Sequence, residues 1–182
     1  MARVQFAVNL FMRREAEFSE CRQYRYTLRI IWNEDLPVCA FIGLNPSTAD
    51  EIVDDATIRR CRGYAEAWGC GVLLMLNLFG LRSTDPRVLR HHPAPIGGGN
   101  TIAHIKRRLA ECAGPHIACW GGSGMILGRG EQVAGEIPSL MCLRINDDGT
   151  PAHPLYLPAS LTPIPYDFHT KYLHRRYFTV AL

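Results

Sequence analysis

Four largely apolar runs constrain this chain more than any other feature. They are "VCAFIGL" (Val38 to Leu44), "GVLLMLNLF" (Gly71 to Phe79), "HIACWGG" (His116 to Gly122) and "LMCLRI" (Leu140 to Ile145). Each has strand length and lacks in–out alternation, the pattern of a strand covered on both faces. Segments with helical spacing separate them. In "DDATIRRCRGYAEAWG", Ile58, Cys61, Tyr64, Ala65 and Trp68 share one face, after an acidic start at Asp54 and Asp55 and before Gly69. "NTIAHIKRRLAECAG" reads as a helix capped by Asn100 and closed by Gly114, and Met125 to Ile137 as a weaker one. Strands alternating with helices predict parallel β-α units. The expected fold is α/β, a three-layer α/β/α sandwich around a central, mostly parallel four-stranded sheet.

The flanks are less regular. "YRYTLRIIW" (Tyr24 to Trp32) mixes aromatic and β-branched residues and predicts a strand. With the turn "NEDLP" it reads as a hairpin into Val38 to Leu44, adding an N-terminal antiparallel strand. Residues 1–20 read as an arm or short helix, and residues 147–182, rich in proline and aromatics, as an irregular wrap. The whole of 1–182 fits one domain, since domains run to roughly 100–200 residues. A chain of this size buries roughly 70% of its extended surface without disulfides or metals. With 47% hydrophobic and 20% charged residues, wholesale disorder is excluded. No apolar stretch approaches the ~20 residues of a membrane span, and no signal-peptide pattern opens the chain. Seven cysteines, an odd number without a C-x-x-C pair, argue for free thiols in a reducing cytoplasm and against zinc ribbons or thioredoxin-type sites. A net charge of +3 permits a nucleic-acid partner without demanding one.

In open α/β sheets ligands sit beyond the carboxyl ends of the strands. Here those ends read "GLNPSTAD", "LNLFGLRSTDP", "WGGSG" and "NDDGTPAHPLYLP", and they hold most of the polar residues with chemistry to offer. Asn45-Pro46 is either a plain turn or a ligand-facing amide. Asn77 interrupts an apolar run, so its amide must bond a neighbouring loop or face a ligand. Ser47 and Thr48 suit helix capping or, with backbone N–H groups, phosphate binding. Asp50, Asp54 and Asp55 complement a helix dipole, with Asp55–Arg59 as a solvated i,i+4 pair, or else hold a metal or act as a general base. Arg59 and Arg60 suit phosphate. His153 lies in a loop, where functional residues concentrate. The glycines of "GGSGMILGRG" lack the acidic residue of a dinucleotide site, and no P-loop is present. No metal or organic cofactor is expected.

"LNPSTADEIVDDATIRRC", "NLFGLRSTDP" and "HPLYLP" resemble, from about Tyr24 to Pro158, a bacterial and phage family of uncharacterised proteins marked by the LNPSTAD motif. A more distant resemblance is to the uracil-DNA glycosylase superfamily. Gly43-Leu44-Asn45-Pro46 is similar to its GINPG motif, Gly71 to Asn77 to its GVLLLN strand, and "CWGGSG" to its strand ending in WG. His153-Pro154 falls where that superfamily has its HPSPLS-type loop. The resemblance implies that Asn45 positions water for attack at a sugar C1′ and that Asn77 reads a base edge. It further implies that His153 stabilises charge on the departing base oxygen. Two departures stand out: Ser47-Thr48-Ala49-Asp50 follows Pro46, and "HPLYLP" lacks the serines that grip DNA. The expected ligand is therefore a nucleobase, nucleotide or nucleic acid, with hydrolysis of an N-glycosidic bond as the leading reaction. The alternatives are a non-catalytic nucleic-acid-binding module on the same fold and an enzyme acting on small free nucleotides.

Overall fold

The computed structural model describes residues 12–47 and 55–167. Seven strands form one mixed sheet: β1 (Arg13–Phe18), β2 (Arg25–Ile31), β3 (Val38–Gly43), β4 (Val72–Asn77), β5 (His116–Ala118), β6 (Met141–Cys142) and β7 (Ile164–Pro165), in the order β1-β2-β4-β3-β5-β6-β7. The four apolar runs are its parallel centre, β4-β3-β5-β6. The expected N-terminal antiparallel strand is β2, and the sheet is wider than the four central strands and that one, because β1 and β7 extend its edges. β2 runs antiparallel to β4 and carries β1, and β7 pairs antiparallel with β6.

Two expectations at the amino end are corrected by this topology. Arg13–Phe18 is a strand, not an arm or helix. Its charged, half-exposed "RREAEF" has the chemistry of an edge strand, which mimics a helix former when read alone. The hairpin joins β1 to β2, whereas β2 does not pair with β3. Trp32 and Asn33 donate their N–H groups to the Gly71 carbonyl, so the turn after β2 is stitched to the start of β4 instead. The wholly apolar β3 takes the centre, where both its faces are covered. At the other end, β7 gives the expected wrap a piece of regular structure, its Pro165 being tolerated at a sheet edge.

Helices cover both faces. Alternate residues Cys39, Phe41, Leu73 and Met75 pack against Ile58, Cys61, Tyr64 and Ala65 of α1 (Ala56–Ala67). Their neighbours Ala40, Ile42, Leu74 and Leu76 pack against Ile105 and Leu109 of α2 (Ile102–Leu109) and Val133 of α3 (Arg129–Glu136). Three layers result. Asp55 caps α1, accepting from the Ile58 N–H at 2.8 Å. The cap of α2 is Thr101, not Asn100, and the helix stops at Leu109, short of Gly114. Asn100 is instead fully buried, donating to the Asn77 and Leu78 carbonyls.

β3 and β5 are neighbours whose onward connections leave toward opposite faces, β3 into α1 and β5 into the 3-10 turns Gly122–Gly128 and α3. Diverging connections open a crevice at the carboxyl ends of such strands. A second feature shapes this crevice. In the β1–β2 register Glu17 faces Thr27 while Phe18 faces Arg25, leaving Tyr26 as an extra, bulged residue. The Tyr26 ring then lies toward α2, edge-on to His104 at 6.2 Å. Strict alternation from Leu28 and Ile30 would have sent Arg25 to that same α2 side. The bulge reverses it and aims Arg25 at the α1 side.

Candidate functional site

A cavity of about 500 Å³ occupies the crevice, lined from the ends of β3, β4 and β5 and from the loops beyond. Asn45, Ser47, Asp55, Asn77 and His153 all line it. Gly121, with φ +68°, turns the chain sharply after β5, and a Cβ there would meet the His153 Cβ at 3.8 Å.

Asn45 is at once a turn residue and a cavity residue. Its Nδ2 donates to the carbonyls of Pro46, Leu81 and Ser83 at 3.1, 3.2 and 2.9 Å, clamping the β3 loop to the segment after β4. Three acceptors on one side leave no ambiguity about which end of the amide is the NH2. Oδ1, which accepts from no group among the described residues, remains available to hold a water or a ligand donor.

Asn77 is 4% exposed, and its amide has no hydrogen-bond partner among the described residues. The bond to a neighbouring loop that would have satisfied it is not formed; only its backbone carbonyl is taken, by Asn100. In the β3–β4 register Gly43 stands opposite, and a Cβ there would come within 3.0 Å of Asn77 Oδ1. The glycine thus makes room for the amide. The amide faces the cavity, where a ligand with one donor and one acceptor would pair with it.

His153 caps the 3-10 turn Pro154–Tyr156, its Nδ1 accepting from the Leu155 N–H at 3.4 Å. The neutral ring therefore carries its proton on Nε2, as a donor. Burial pulls its pKa below the ordinary histidine value, and the charge of Asp55 opposes that shift. Asp55 accepts from Ser47 Oγ at 3.0 Å as well as from Ile58, so its carboxylate braces the β3 loop against α1 and forms no ion pair with Arg59.

The remaining candidates lie elsewhere. Arg59 is exposed. Arg60 donates to the Leu157 carbonyl and lies over the Tyr64 ring at 5.2 Å, fastening the C-terminal segment to α1. Neither lines the cavity. Thr48, Asp50 and Asp54 lie outside the described residues. No group of three His, Cys, Asp or Glu side chains fit to hold a metal occurs among the described residues. Nor is any described helix long and apolar enough to cross a membrane. All seven cysteines are free thiols.

One lining residue was not anticipated from the sequence. Arg25 is 6% exposed and reaches the same cavity, and its side chain has no hydrogen bond or ion pair among the described residues. The only hint was a charge embedded in an aromatic strand. The face it takes depends on the bulge at Tyr26, which periodicity does not reveal.

Sheet and cavity together define a doubly wound α/β domain with a cavity at its topological switch point, where Asn45, Ser47, Asp55, Asn77, His153 and Arg25 meet. Residues 25–155 match a family described as a protein of unknown function (DUF1643), and the chain belongs to that family. No curated protein and no solved structure matches it. The matched span contains every cavity residue named above.

Proposed function

We propose that the cavity binds a nucleobase or nucleotide and hydrolyses its N-glycosidic bond. The observation that carries this reading is the meeting of Asn45, Asn77 and His153, from three separate strand ends, on one cavity. The distant resemblance to uracil-DNA glycosylases assigns them complementary tasks, and their hydrogen-bonding states suit those tasks. Asn45 Oδ1 accepts a hydrogen bond from a water, which keeps that proton, and orients the water oxygen toward the sugar C1′. Asp55, the only carboxylate among the described lining residues, takes the other water proton as the C1′–O bond forms. The C1′–N bond breaks, its electron pair leaves with the base, and His153 Nε2–H donates to the base oxygen on which charge develops. Asn77 supplies a donor and an acceptor to the base edge. On a nucleic acid, the nucleotide must be extruded to reach such a site.

Oligonucleotides carrying uracil, hypoxanthine or modified pyrimidines test the proposal. Incubation with wild type should yield abasic sites, and Asn45→Ala should slow their formation about 100-fold, the low end expected for a positioned water-activating group. Base release by neither protein from any of these substrates, or from the corresponding free nucleotides, would overturn it.

A further inference from the structure

We infer that Arg25 is the seat of an anionic group of the ligand, a phosphate, so that the cavity takes a nucleotide with its phosphate rather than a bare nucleoside. This rests on the nucleotide reading above and specifies its substrate class.

A guanidinium offers five N–H donors in a rigid fork and no acceptor. Arg25 Nε is wholly buried without a partner, and neither terminal nitrogen bonds any described residue. The acidic residue that lines the same cavity, Asp55, influences Arg25 electrostatically but stands beyond ion-pair distance, and its carboxylate already accepts from Ser47 and Ile58. Burial pushes the guanidinium pKa down to about 10, helped by the like charge of Arg82 and opposed by Asp55. It is still a full cation at neutral pH. Leaving a charge this deep without a counterion is costly, and the fold does so deliberately: the bulge at Tyr26 turns Arg25 into the cavity when regular pairing would have turned it away.

Phosphate fits this vacancy better than a base carbonyl. It supplies the missing negative charge, and two of its oxygens match the guanidinium fork. Asn77 and His153 are the groups suited to the base, which leaves Arg25 free for the other end of a nucleotide. A free nucleoside monophosphate and the diester of a strand both supply this phosphate, and the chemistry at Arg25 is the same for either.

Calorimetric titration with inorganic phosphate, uridine, inosine, their 5′-monophosphates and a short single-stranded oligonucleotide separates the arms. Wild type should bind the monophosphates or the oligonucleotide about 10- to 100-fold more tightly than the nucleosides, the span of one charge-assisted contact. A monoester preference indicates free nucleotides, and an oligonucleotide preference indicates strands. Arg25→Met should abolish the phosphate-dependent gain, and Arg25→Lys, with charge but no fork, should keep only part of it. The exposed Arg59→Met serves as a control and should keep it all. Retention of the full gain in Arg25→Met, or in Arg25→Lys should the first variant not fold, overturns the inference. So does equal affinity of wild type for nucleosides and nucleotides, an outcome that leaves base recognition standing. Conversely, Arg25-dependent binding of inorganic phosphate with no discrimination among bases supports Arg25 as a phosphate seat and removes the nucleobase reading.

Discussion

Arg25 and Arg129 are buried to almost the same depth, 6% and 5% exposed, on opposite sides of the sheet. Arg129, at the start of α3, donates from Nε to the Leu78 carbonyl at 3.2 Å, from Nη2 to the Asn100 carbonyl at 2.9 Å and from Nη1 to Gln132 Oε1 at 3.4 Å. The Arg25 guanidinium donates to no described residue, and its Nε is wholly buried. The same contrast separates the two buried asparagines that meet at the end of β4. Asn100 spends both amide protons on backbone carbonyls, and Asn77 spends none. On the α2–α3 side polar groups tie the loop after β4 to the sheet, and they are structural. On the α1 side Arg25 and Asn77 face the cavity with their side-chain donors unspent.

The contrast predicts opposite responses to the same substitution. Arg129→Met deletes its hydrogen bonds to the Asn100 and Leu78 carbonyls, of which Leu78 keeps Asn100 as a donor, and should lower unfolding stability by about 2 to 3 kcal/mol, read from the urea midpoint. Arg25→Met removes an uncompensated buried charge and should leave the midpoint unchanged or raise it, as with residues that serve function at the expense of stability. Equal losses in the two variants would break the comparison. The asparagines repeat the test on a smaller scale. Asn100→Ala should cost about 2 kcal/mol and Asn77→Ala less than about 1 kcal/mol, because only the first deletes made hydrogen bonds.

What the sequence disclosed follows the same division. Runs covered on both faces announce themselves, so β3, β4, β5 and β6 and their parallel centre were legible, as was α1 from its Asp55 cap. The edges were not. β1 is charged and half solvated, β7 is two residues long with a proline, and neither carries the apolar signal on which the reading depends. Asn100 and Thr101 are both good caps, and only the buried carbonyls of Asn77 and Leu78 decide that the first turns inward. At the site, Asn45, Ser47, Asp55, Asn77 and His153 were found because each follows a buried strand. Arg59 and Arg60 were read as phosphate ligands because they neighbour that loop in sequence, yet α1 carries them away from the cavity. The arginine that does reach it comes from β2, through a bulge that no periodicity encodes.

Gly43 sharpens the comparison from the backbone side. Gly43→Ala would bring a Cβ within 3.0 Å of Asn77 Oδ1, closer than ordinary contact, so the amide must shift. Since Asn77 is held by no side-chain hydrogen bond, the shift should cost stability less than about 1 kcal/mol. Nucleotide affinity should nevertheless fall several-fold, as the amide leaves the position from which it meets a base. Unchanged affinity in titration calorimetry would mean that Asn77 does not contact the ligand.

The smallest effect expected is the pH response of His153. Burial holds its folded pKa below the ordinary value of about 6.5. At pH values below that, the unfolded chain binds a proton that the folded site resists, so folded stability falls as pH falls through this window and is fully present above it. Protonation of Nδ1 would also remove the acceptor that caps Leu155 N–H. Urea midpoints of wild type and His153→Gln, compared between about pH 5 and pH 7.5, should diverge as the solution becomes acidic, with wild type losing the more. His104, whose pKa burial also lowers, is present in both proteins and cancels in the difference. A difference that stays flat, or that grows toward alkaline pH, would show that the imidazole is as free to ionise in the cavity as in water. Its Nε2–H would then not be held in the neutral, donating state that the proposed chemistry requires.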